Sequence, residues 1–231
     1  MAHLHEKQPN MRIHADSSAV KGWKEIFSKE PRMRYSKRMS IIEQGEHTNH
    51  LYYIASGLVE YTYTNADGVE NLIEVIGPRN IVGMQPFFEK AAATGSFIAL
   101  TEVVAYSLHE DQVYANIKRD NSLAIEFIVE LCKIANGLVT QLFSHTKRVD
   151  DRIKELICAL CEMDMSEKRA SGQIFISLSQ HELARITRTT RVTTTKVLGG
   201  LKKMGFLDIV YGGIIVKDYE RLKKSIVAKN T

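Results

Sequence analysis

The sequence predicts an α+β fold with an N-terminal β-roll, one long helix and a C-terminal winged helix-turn-helix. Three observations predict this architecture. Short apolar runs alternate with turn signals between residues 40 and 108, as in a roll or barrel of short strands. Apolar residues then recur at helical spacing after residue 122. Beyond residue 174, the order is strand, capped helix, tight turn, capped helix and hairpin.

Composition limits the class of protein. The 231 residues suffice for two modest domains, and the 44% hydrophobic content excludes a disordered chain. A net charge of +4 is small, so nucleic-acid binding would require local clustering of basic residues. The chain has only three cysteines, an odd number that cannot pair completely, which argues against a secreted fold held together by disulfides. Without an apolar leader or spanning run, we expect a cytoplasmic protein with no membrane partner.

The roll is predicted from the first element onward. Trp23, Ile26 and Phe27 indicate a short helix that covers the next domain. The turn at Asp67-Gly68 tolerates positive φ and therefore indicates a hairpin. The predicted strands span residues 51–54, 58–64, 69–76, 97–100 and 103–108. We place the first domain, comprising the N-terminal segment and the roll, at residues 1–110.

A long helix follows the N-cap cluster at residues 120–122. Its apolar residues recur at alternating steps of three and four, which is a heptad seam formed by Ile128, Leu131, Ala135, Leu138 and Leu142. An ordinary buried helix would also carry apolar residues, but the length favours dimerisation. Each buried Leu contributes roughly 1.5–3 kcal/mol, against an association cost of about 4–15 kcal/mol. We assign residues 111–148 to this connecting and dimerisation helix and predict a homodimer.

The C-terminal domain is placed at residues 149–231. Its charged start predicts a hinge at residues 148–151, followed by a helix over 152–163 and a polar loop over 166–172. Ser179 and Glu182 form a capping box, and Thr190 caps the second helix. The inward side chains of this second helix are predicted to be Val197, Leu198 and Leu201. A hairpin over residues 207–217 completes the winged helix-turn-helix.

The second helix suits the major groove of DNA. The planar guanidinium of Arg191 can bind guanine O6 and N7 together, and neighbouring Thr and Lys side chains suit phosphates. The predicted DNA-contacting residues are Ser179, Gln180, Arg188, Thr190, Arg191, Val192, Thr193, Thr195 and Lys196. A homodimer would hold two such helices about 34 Å apart and would bind palindromic double-stranded DNA. A solvated basic face on a small helical domain is the alternative.

Over residues 40–218 the sequence resembles the Crp/Fnr family of bacterial transcription regulators. The resemblance rests on residues 42–46, 51–57, 67–68 and 81–83 of the roll, and on residues 178–203 of the helix-turn-helix. It implies a cyclic-nucleotide-binding-like roll and, if the protein activates transcription, RNA polymerase as a partner. Arg188 departs from the family, which usually has glycine in this turn. An arginine there would have to adopt a left-handed conformation at some cost.

The resemblance also places the effector site. Cyclic-AMP receptors have a Glu, an Arg and a Ser where this chain has Met84, Thr94 and Gly95, and hydroxyls where it has Gly137 and Leu138. A phosphodiester needs charged donors, so we expect a small-molecule effector other than cyclic AMP. The expected effector-binding residues are Met84, Gln85, Thr94, Gly95, Ser96, Lys133, Asn136 and Gly137. Lys133 and Val192-Thr193 are similar to the halophenol-responsive regulators, although Lys133 could equally be a solvated helix residue.

Cysteine and histidine positions bear on other sensing chemistries. The first 131 residues contain no cysteine, which excludes the iron–sulfur cluster of the Fnr type, and we expect no cofactor. His109 and His145 leave haem open but are more typical of surface residues. Cys158 and Cys161 leave open a redox switch, with ordinary buried thiols as the favoured interpretation. A constitutive DNA-binding protein with a vestigial sensor also remains open. No nucleotide-binding or catalytic motif is present, so we expect no enzymatic activity.

Overall fold

The computed structural model of this protein describes residues 12–14, 20–143, 148–163, 167–168 and 172–227. The contacts divide the chain into two units, and the division falls within the long helix, between Ala135 and Asn136. Each unit has its own sheet structure and its own buried core.

The N-terminal unit is the predicted β-roll. Its elements in chain order are β1 (Arg12–His14), α1 (Lys21–Phe27), β2 (Met33–Tyr35), β3 (Ser40–Ile42), β4 (His50–Ser56), β5 (Val59–Thr64), β6 (Glu70–Ile76), β7 (Ile81–Val82), α2 (Met84–Glu89), β8 (Ser96–Ala99), β9 (Val103–His109), α3 (Glu110–Arg119) and the first part of α4 (Ser122–Phe143). One sheet has the order β1-β6-β5-β8-β3, and the other has the order β2-β9-β4-β7. The five strands predicted from the sequence are confirmed as β4, β5, β6, β8 and β9.

Local turn chemistry explains where the β5–β6 hairpin closes. The side chain of Asn65 accepts hydrogen bonds from the backbone N–H of Asp67 at 3.1 Å and of Val69 at 2.9 Å. Gly68 has φ of +76°, which is the left-handed conformation that the predicted turn requires.

The predicted helix near the N-terminus is confirmed as α1, and it covers the core of the roll. Trp23 and Phe27 are fully buried. The Trp23 ring stacks on Phe127 of α4 at 4.5 Å, and the Phe27 ring stacks on Tyr53 of β4 at 5.7 Å. α1 therefore joins the roll to the beginning of α4.

The C-terminal unit contains the rest of α4 and the helix-turn-helix. Its further elements are α5 (Val149–Glu162), β10 (Glu167–Lys168), β11 (Ile174–Ile176), α6 (Gln180–Ile186), α7 (Arg191–Lys203), β12 (Leu207–Val210), β13 (Gly213–Val216) and α8 (Tyr219–Val227). The four strands form one antiparallel sheet in the order β10-β11-β13-β12. The strand, the two helices and the hairpin of the predicted winged helix-turn-helix are thus all present.

Two expected boundaries in this unit were wrong. α5 begins at Val149 rather than at residue 152, and the backbone N–H groups of Asp151 and Arg152 both donate to the Arg148 carbonyl at 3.1 Å. The hinge expected at residues 148–151 stays a prediction. Acidic side chains favour a helix N-terminus, so Asp150 and Asp151 extend the helix rather than interrupt it. The predicted loop over 166–172 contains β10. This strand pairs antiparallel with β11, and Lys168 lies opposite Ile174.

Candidate nucleic-acid interface and effector site

The N-terminus of α6 has the predicted capping box. The Ser179 hydroxyl accepts a hydrogen bond from the Glu182 backbone N–H at 3.2 Å, and a Glu182 carboxylate oxygen accepts from the Ser179 backbone N–H at 2.8 Å. The same hydroxyl also lies 2.8 Å from that carboxylate oxygen. The side chain of Ser179 therefore caps the helix in addition to being a predicted DNA contact.

Gln180 connects α6 to α7. Its Oε1 accepts a hydrogen bond from the Thr195 hydroxyl at 2.6 Å. Because Oε1 is used in this contact, the amide group of Gln180 offers its N–H donors as further hydrogen-bonding capacity. This contact fixes the N-terminus of the first helix against the exposed face of the second.

The turn between the two helices contains the residue that departs from the usual glycine. Arg188 has φ of +49°, so the left-handed conformation expected there is confirmed. Its carbonyl accepts a long hydrogen bond, 3.5 Å, from Arg152 of α5. Partial burial, with a smaller effect from the positive charge of Arg152, lowers the pKa of the Arg188 guanidinium. The backbone carbonyl of Arg188 therefore links the turn to α5, and its half-buried side chain remains a predicted DNA contact.

α7 has one buried face and one exposed face. Thr190 caps it by accepting from the Thr193 backbone N–H at 3.1 Å. The buried side chains are Thr194, Leu198 and Leu201. Val197, which we expected to point inward, is only partly buried, because it lies at the edge of the face formed by Thr194, Leu198 and Leu201. The prediction for Val197 was therefore wrong in degree.

The exposed face of α7 carries the predicted base-reading residues. Arg191, Val192, Thr195 and Lys196 are all exposed, and Val192 keeps 80% of its surface accessible. An apolar side chain so exposed gains nothing from the hydrophobic effect in the isolated protein. The structure thus brings Gln180 and the exposed residues of α7 together on one surface.

Ion pairs hold the wing, which is the β12–β13 hairpin, against the last turn of α7. Asp208 of β12 lies 2.6 Å from the Lys217 ammonium and 3.8 Å from that of Lys202, in the last turn of α7. The ammonium groups, Lys217 first, lower the pKa of the Asp208 carboxyl. Both pairs are exposed, so they orient the hairpin more than they stabilise the fold.

On the roll, two of the five predicted effector residues lie on α2, two lie in the loop before β8, and Ser96 begins β8. Met84 is buried in the core. The Thr94 hydroxyl lies 2.7 Å from the Tyr61 hydroxyl, and the Thr94 backbone N–H donates to Gln85 Oε1 at 3.3 Å. The Ser96 hydroxyl accepts from the Gln44 backbone N–H at 2.9 Å. These polar groups are therefore engaged with the protein itself.

Gly95 allows this close packing. A Cβ atom built on it would lie 2.3 Å from the Thr62 carbonyl oxygen and 2.7 Å from the Tyr61 ring. The Tyr61 ring in turn stacks on Phe97 at 4.7 Å. Tyr61 was not among the predicted residues of this site, although it lies within the strand predicted over residues 58–64. Its contacts with β8 depend on strand pairing that the sequence does not reveal.

The remaining effector candidates lie on α4. Lys133 is partly exposed and belongs to the N-terminal unit, whereas Asn136 and Gly137 belong to the C-terminal unit. The predicted effector set is therefore divided between the two units.

α4 exposes a continuous apolar stripe that includes four of the five predicted seam residues. Ile128, Leu131, Ala135 and Leu138 are exposed, with Leu131 at 48% and Leu138 at 40%, while the side chain of Leu142 lies outside the described residues. Three further apolar residues on the same side are also exposed, namely Ile125, Cys132 and Val139. The opposite face packs on the roll through Leu123 and Phe127.

The two thiols considered for redox control are buried on α5. Burial raises the pKa of Cys158 to about 11 and that of Cys161 to about 12, with smaller contributions from nearby groups such as Glu162. Reactive cysteines have a lowered pKa and an accessible sulfur, so this environment favours the interpretation of both as ordinary buried thiols.

The described residues contain no cluster of three His, Cys, Asp or Glu side chains able to hold a metal ion. His109 caps α3, accepting from the Asp111 backbone N–H at 3.3 Å, and lies 2.8 Å from the Asn49 amide. His145 lies outside the part of the chain that the structure describes. Within that part, no helix has the length and apolar character needed to cross a membrane.

Comparison with known proteins decides the family. The cyclic nucleotide-binding domain family matches residues 32–120, and the Crp-like helix-turn-helix domain family matches residues 151–225, in the order found in this fold. The chain belongs to the Crp/Fnr family of transcriptional regulators. Its DNA-binding domain is thus the helix-turn-helix of the C-terminal unit, and members of this family are regulators rather than enzymes.

Several Crp/Fnr proteins resemble this chain over most of its length. A CRP-like cAMP-activated global transcriptional regulator of Mycobacterium tuberculosis is 24% identical, covering 80% of this chain and 83% of the relative. A CRP/FNR-family regulator from Thermus thermophilus has a similar structure, with a TM-score of 0.65 and 22% identity, covering 85% of this chain and 98% of that chain. The structure of CprK in complex with OCPA gives a TM-score of 0.58 and 20% identity, covering 92% of this chain and 97% of CprK. These structures share the fold.

Proposed function

We propose that this Crp/Fnr regulator is a homodimer that reads a palindromic DNA site with the exposed face of α7. The single observation that carries the proposal is the exposure of Arg191 and Val192 at the capped N-terminus of that helix. In this position a helix in the major groove presents its first residues to base edges. Arg191 binds a guanine in each half-site, Gln180 and Lys196 bind phosphates, and the DNA-contacting set is the one predicted from the sequence.

The homodimer is supported by the apolar stripe on α4. Leu131 and Leu138 lie on a surface too apolar to be left exposed in water without a partner. A dimer formed through the stripe would carry two DNA-binding domains, as binding to half-sites about 34 Å apart, one turn of the duplex, requires.

Selection of bound sequences from a random DNA library tests this function. We expect a two-fold symmetric motif with half-site centres about 10–10.5 base pairs apart and a guanine in each half-site. A motif without symmetry, or no enrichment at all, would contradict the proposal.

We also propose that the regulator responds to a small molecule other than cyclic AMP. The proposal is supported by the buried Met84 and by the contact between Thr94 and Tyr61, since neither position offers a charged donor to a phosphodiester. Isothermal calorimetry with cyclic AMP should give no binding heat at micromolar concentration. Saturable binding in that range would show that the site has been misassigned.

A constitutive regulator with a vestigial sensor is the second candidate. It is favoured by the same internal contacts, because the hydroxyls of Thr94 and Tyr61 already satisfy one another. A thermal-shift screen of small anions and aromatic compounds separates the two candidates, since a ligand at about 100 times its Kd adds roughly 2.7 kcal/mol of stability. A ligand that shifts the melting temperature and changes DNA affinity supports sensing. DNA binding at full affinity with no responding compound supports the constitutive candidate.

A further inference from the structure

The hydroxyl of Thr195 has one proton and two acceptors within reach. Its oxygen lies 2.6 Å from Gln180 Oε1 and 2.8 Å from the Arg191 carbonyl oxygen. That carbonyl lies one turn earlier in α7, where the regular pattern of an α-helix already gives it the backbone N–H of Thr195. A hydroxyl donates a single hydrogen bond. The proton therefore goes to Gln180, which is the nearer acceptor and has no helical donor of its own at Oε1.

The length of this contact fixes the orientation of the Gln180 amide. An amide group can turn by about 180°, which exchanges its oxygen for its N–H₂ group. Hydrogen bonds from a hydroxyl to an oxygen are about 2.5–3.0 Å long, whereas those from an amide N–H to an oxygen are about 2.7–3.2 Å. The observed 2.6 Å fits only the first kind. Oε1 therefore faces α7, and the N–H₂ group is turned away from Thr195.

This orientation determines which groups on DNA the amide can bind. Phosphate oxygens are acceptors, so they bind the N–H₂ group of a glutamine and repel its oxygen. Paired recognition of adenine requires both the oxygen and the N–H₂ group, and the oxygen of Gln180 is already used. A side chain oriented before binding also loses less entropy when the complex forms. Gln180 is thus prepared to act as a donor to a phosphate.

We propose that Thr195 is a positioning residue, whose hydroxyl contributes to DNA binding by holding the Gln180 amide with its donors toward a phosphate. The proposal rests on the proposed DNA-binding function and assigns a role within it. The methyl group of Thr195 stays available to DNA on the exposed face of α7.

A double-mutant cycle distinguishes positioning from a direct contact. The wild type, Thr195→Val, Gln180→Ala and the double variant are titrated onto one duplex carrying the selected motif. Valine keeps the branched shape of threonine but has no hydroxyl. Gln180→Ala should weaken binding roughly 2- to 10-fold, the loss of one hydrogen bond. Thr195→Val should lose part of that affinity, and the double variant should bind as Gln180→Ala does. Thr195→Ser, which keeps the hydroxyl, should bind as the wild type does.

Two further measurements separate this role from a structural one. The slope of log K against log salt should be the same for Thr195→Val and the wild type, because Gln180 carries no charge. Its melting temperature should also match, because the side chain of Thr195 is exposed. A changed slope would mean that the substitution acts through a charged neighbour such as Lys196 and would overturn the proposal.

Neutral methylphosphonate groups, placed one at a time along the duplex, identify the phosphate that is bound. One position should weaken wild-type binding, lose its effect in Gln180→Ala and have a smaller effect in Thr195→Val. Thr195→Val that binds as tightly as the wild type, or losses that multiply in the double variant, would overturn the proposal while leaving the DNA-binding function intact. A wild type that does not bind the duplex would contradict the proposed function itself.

Discussion

Individual residues of α7 are assigned to opposite faces by their position in the helical turn. Val192 is 80% exposed, whereas Thr194, two residues later, is fully buried. The cap at Thr190 fixes where the helix begins and therefore which residues start its exposed face. This much was predictable from sequence, because caps and helical periodicity are local. The exchange of Val197 for Thr194 as an inward residue was not, since it depends on what packs against the helix.

Local environment also favours one interpretation of the cysteines. Cys158 and Cys161 are buried with a raised pKa, which disfavours the reactive thiolate form near neutral pH. In a Cys132→Ser background, we expect both thiols to resist modification by a disulfide reagent in the native protein and to react after denaturation. DNA affinity should be the same under reducing and mildly oxidising conditions. Rapid modification of the native protein, together with loss of DNA binding on oxidation, would restore the redox interpretation.

Among the helices, α1 is held in position by hydrogen bonds to α4, from which it is separated in sequence by most of the roll. The carboxylate of Glu126 in α4 accepts hydrogen bonds from the backbone N–H groups of Gly22 at 3.0 Å and Trp23 at 3.3 Å. The Trp23 indole donates to the Leu123 carbonyl at 2.9 Å. The sequence indicated a short helix here, but it could not indicate a cap supplied from so far along the chain. α2 was not predicted, because it is short and lies beside strands that dominate the local pattern. The segment 111–148, assigned to one connecting and dimerisation helix, begins instead with a separate helix, α3.

Removing the cap should loosen α1. Glu126→Ala leaves backbone donors unpaired, and we expect it to lower the free energy of unfolding by about 1–2 kcal/mol. Chemical denaturation measures this change. Trp23 is the single tryptophan and is fully buried, so its fluorescence should shift to longer wavelength if the helix detaches. Glu25→Ala, an exposed carboxylate on α1 itself, is the matched control and should change neither quantity. Equal effects of the two substitutions would show that the cap contributes nothing.

At the scale of the whole molecule, α4 links the two units and exposes the apolar stripe that we propose as the dimer interface. The heptad spacing was readable from the sequence because a periodic pattern needs no tertiary information. The sequence could not distinguish a seam buried inside the monomer from one exposed on its surface. The exposure of Leu131 and Leu138 favours the exposed seam. The effector is less predictable, because its site depends on strand pairings such as that between Tyr61 and Phe97.

The stripe on α4 should hold the dimer together. A double variant, Leu131→Asp and Leu138→Asp, places charges in the proposed interface, where burial without a partner costs several kcal/mol. Sedimentation should show monomers. Val129→Asp is the control, because Val129 is also an exposed apolar residue of α4 but lies at the edge of the stripe; it should remain dimeric. A dimer that survives the double substitution would refute the seam.

The central claim is that the first residues of α7 read the bases. Val192 offers methyl groups, which suit the C5-methyl of thymine, whereas a glutamate there would accept a hydrogen bond from cytosine N4. The most direct measurement selects binding sites from one random DNA library with the wild type, Val192→Glu and Val192→Ala. We expect the Arg191 guanine to be retained in every motif, and Val192→Glu to shift the adjacent position toward cytosine. Val192→Ala should only weaken the preference there. If Val192→Glu selects the same motif as the wild type, Val192 does not face the bases and the account of α7 is wrong.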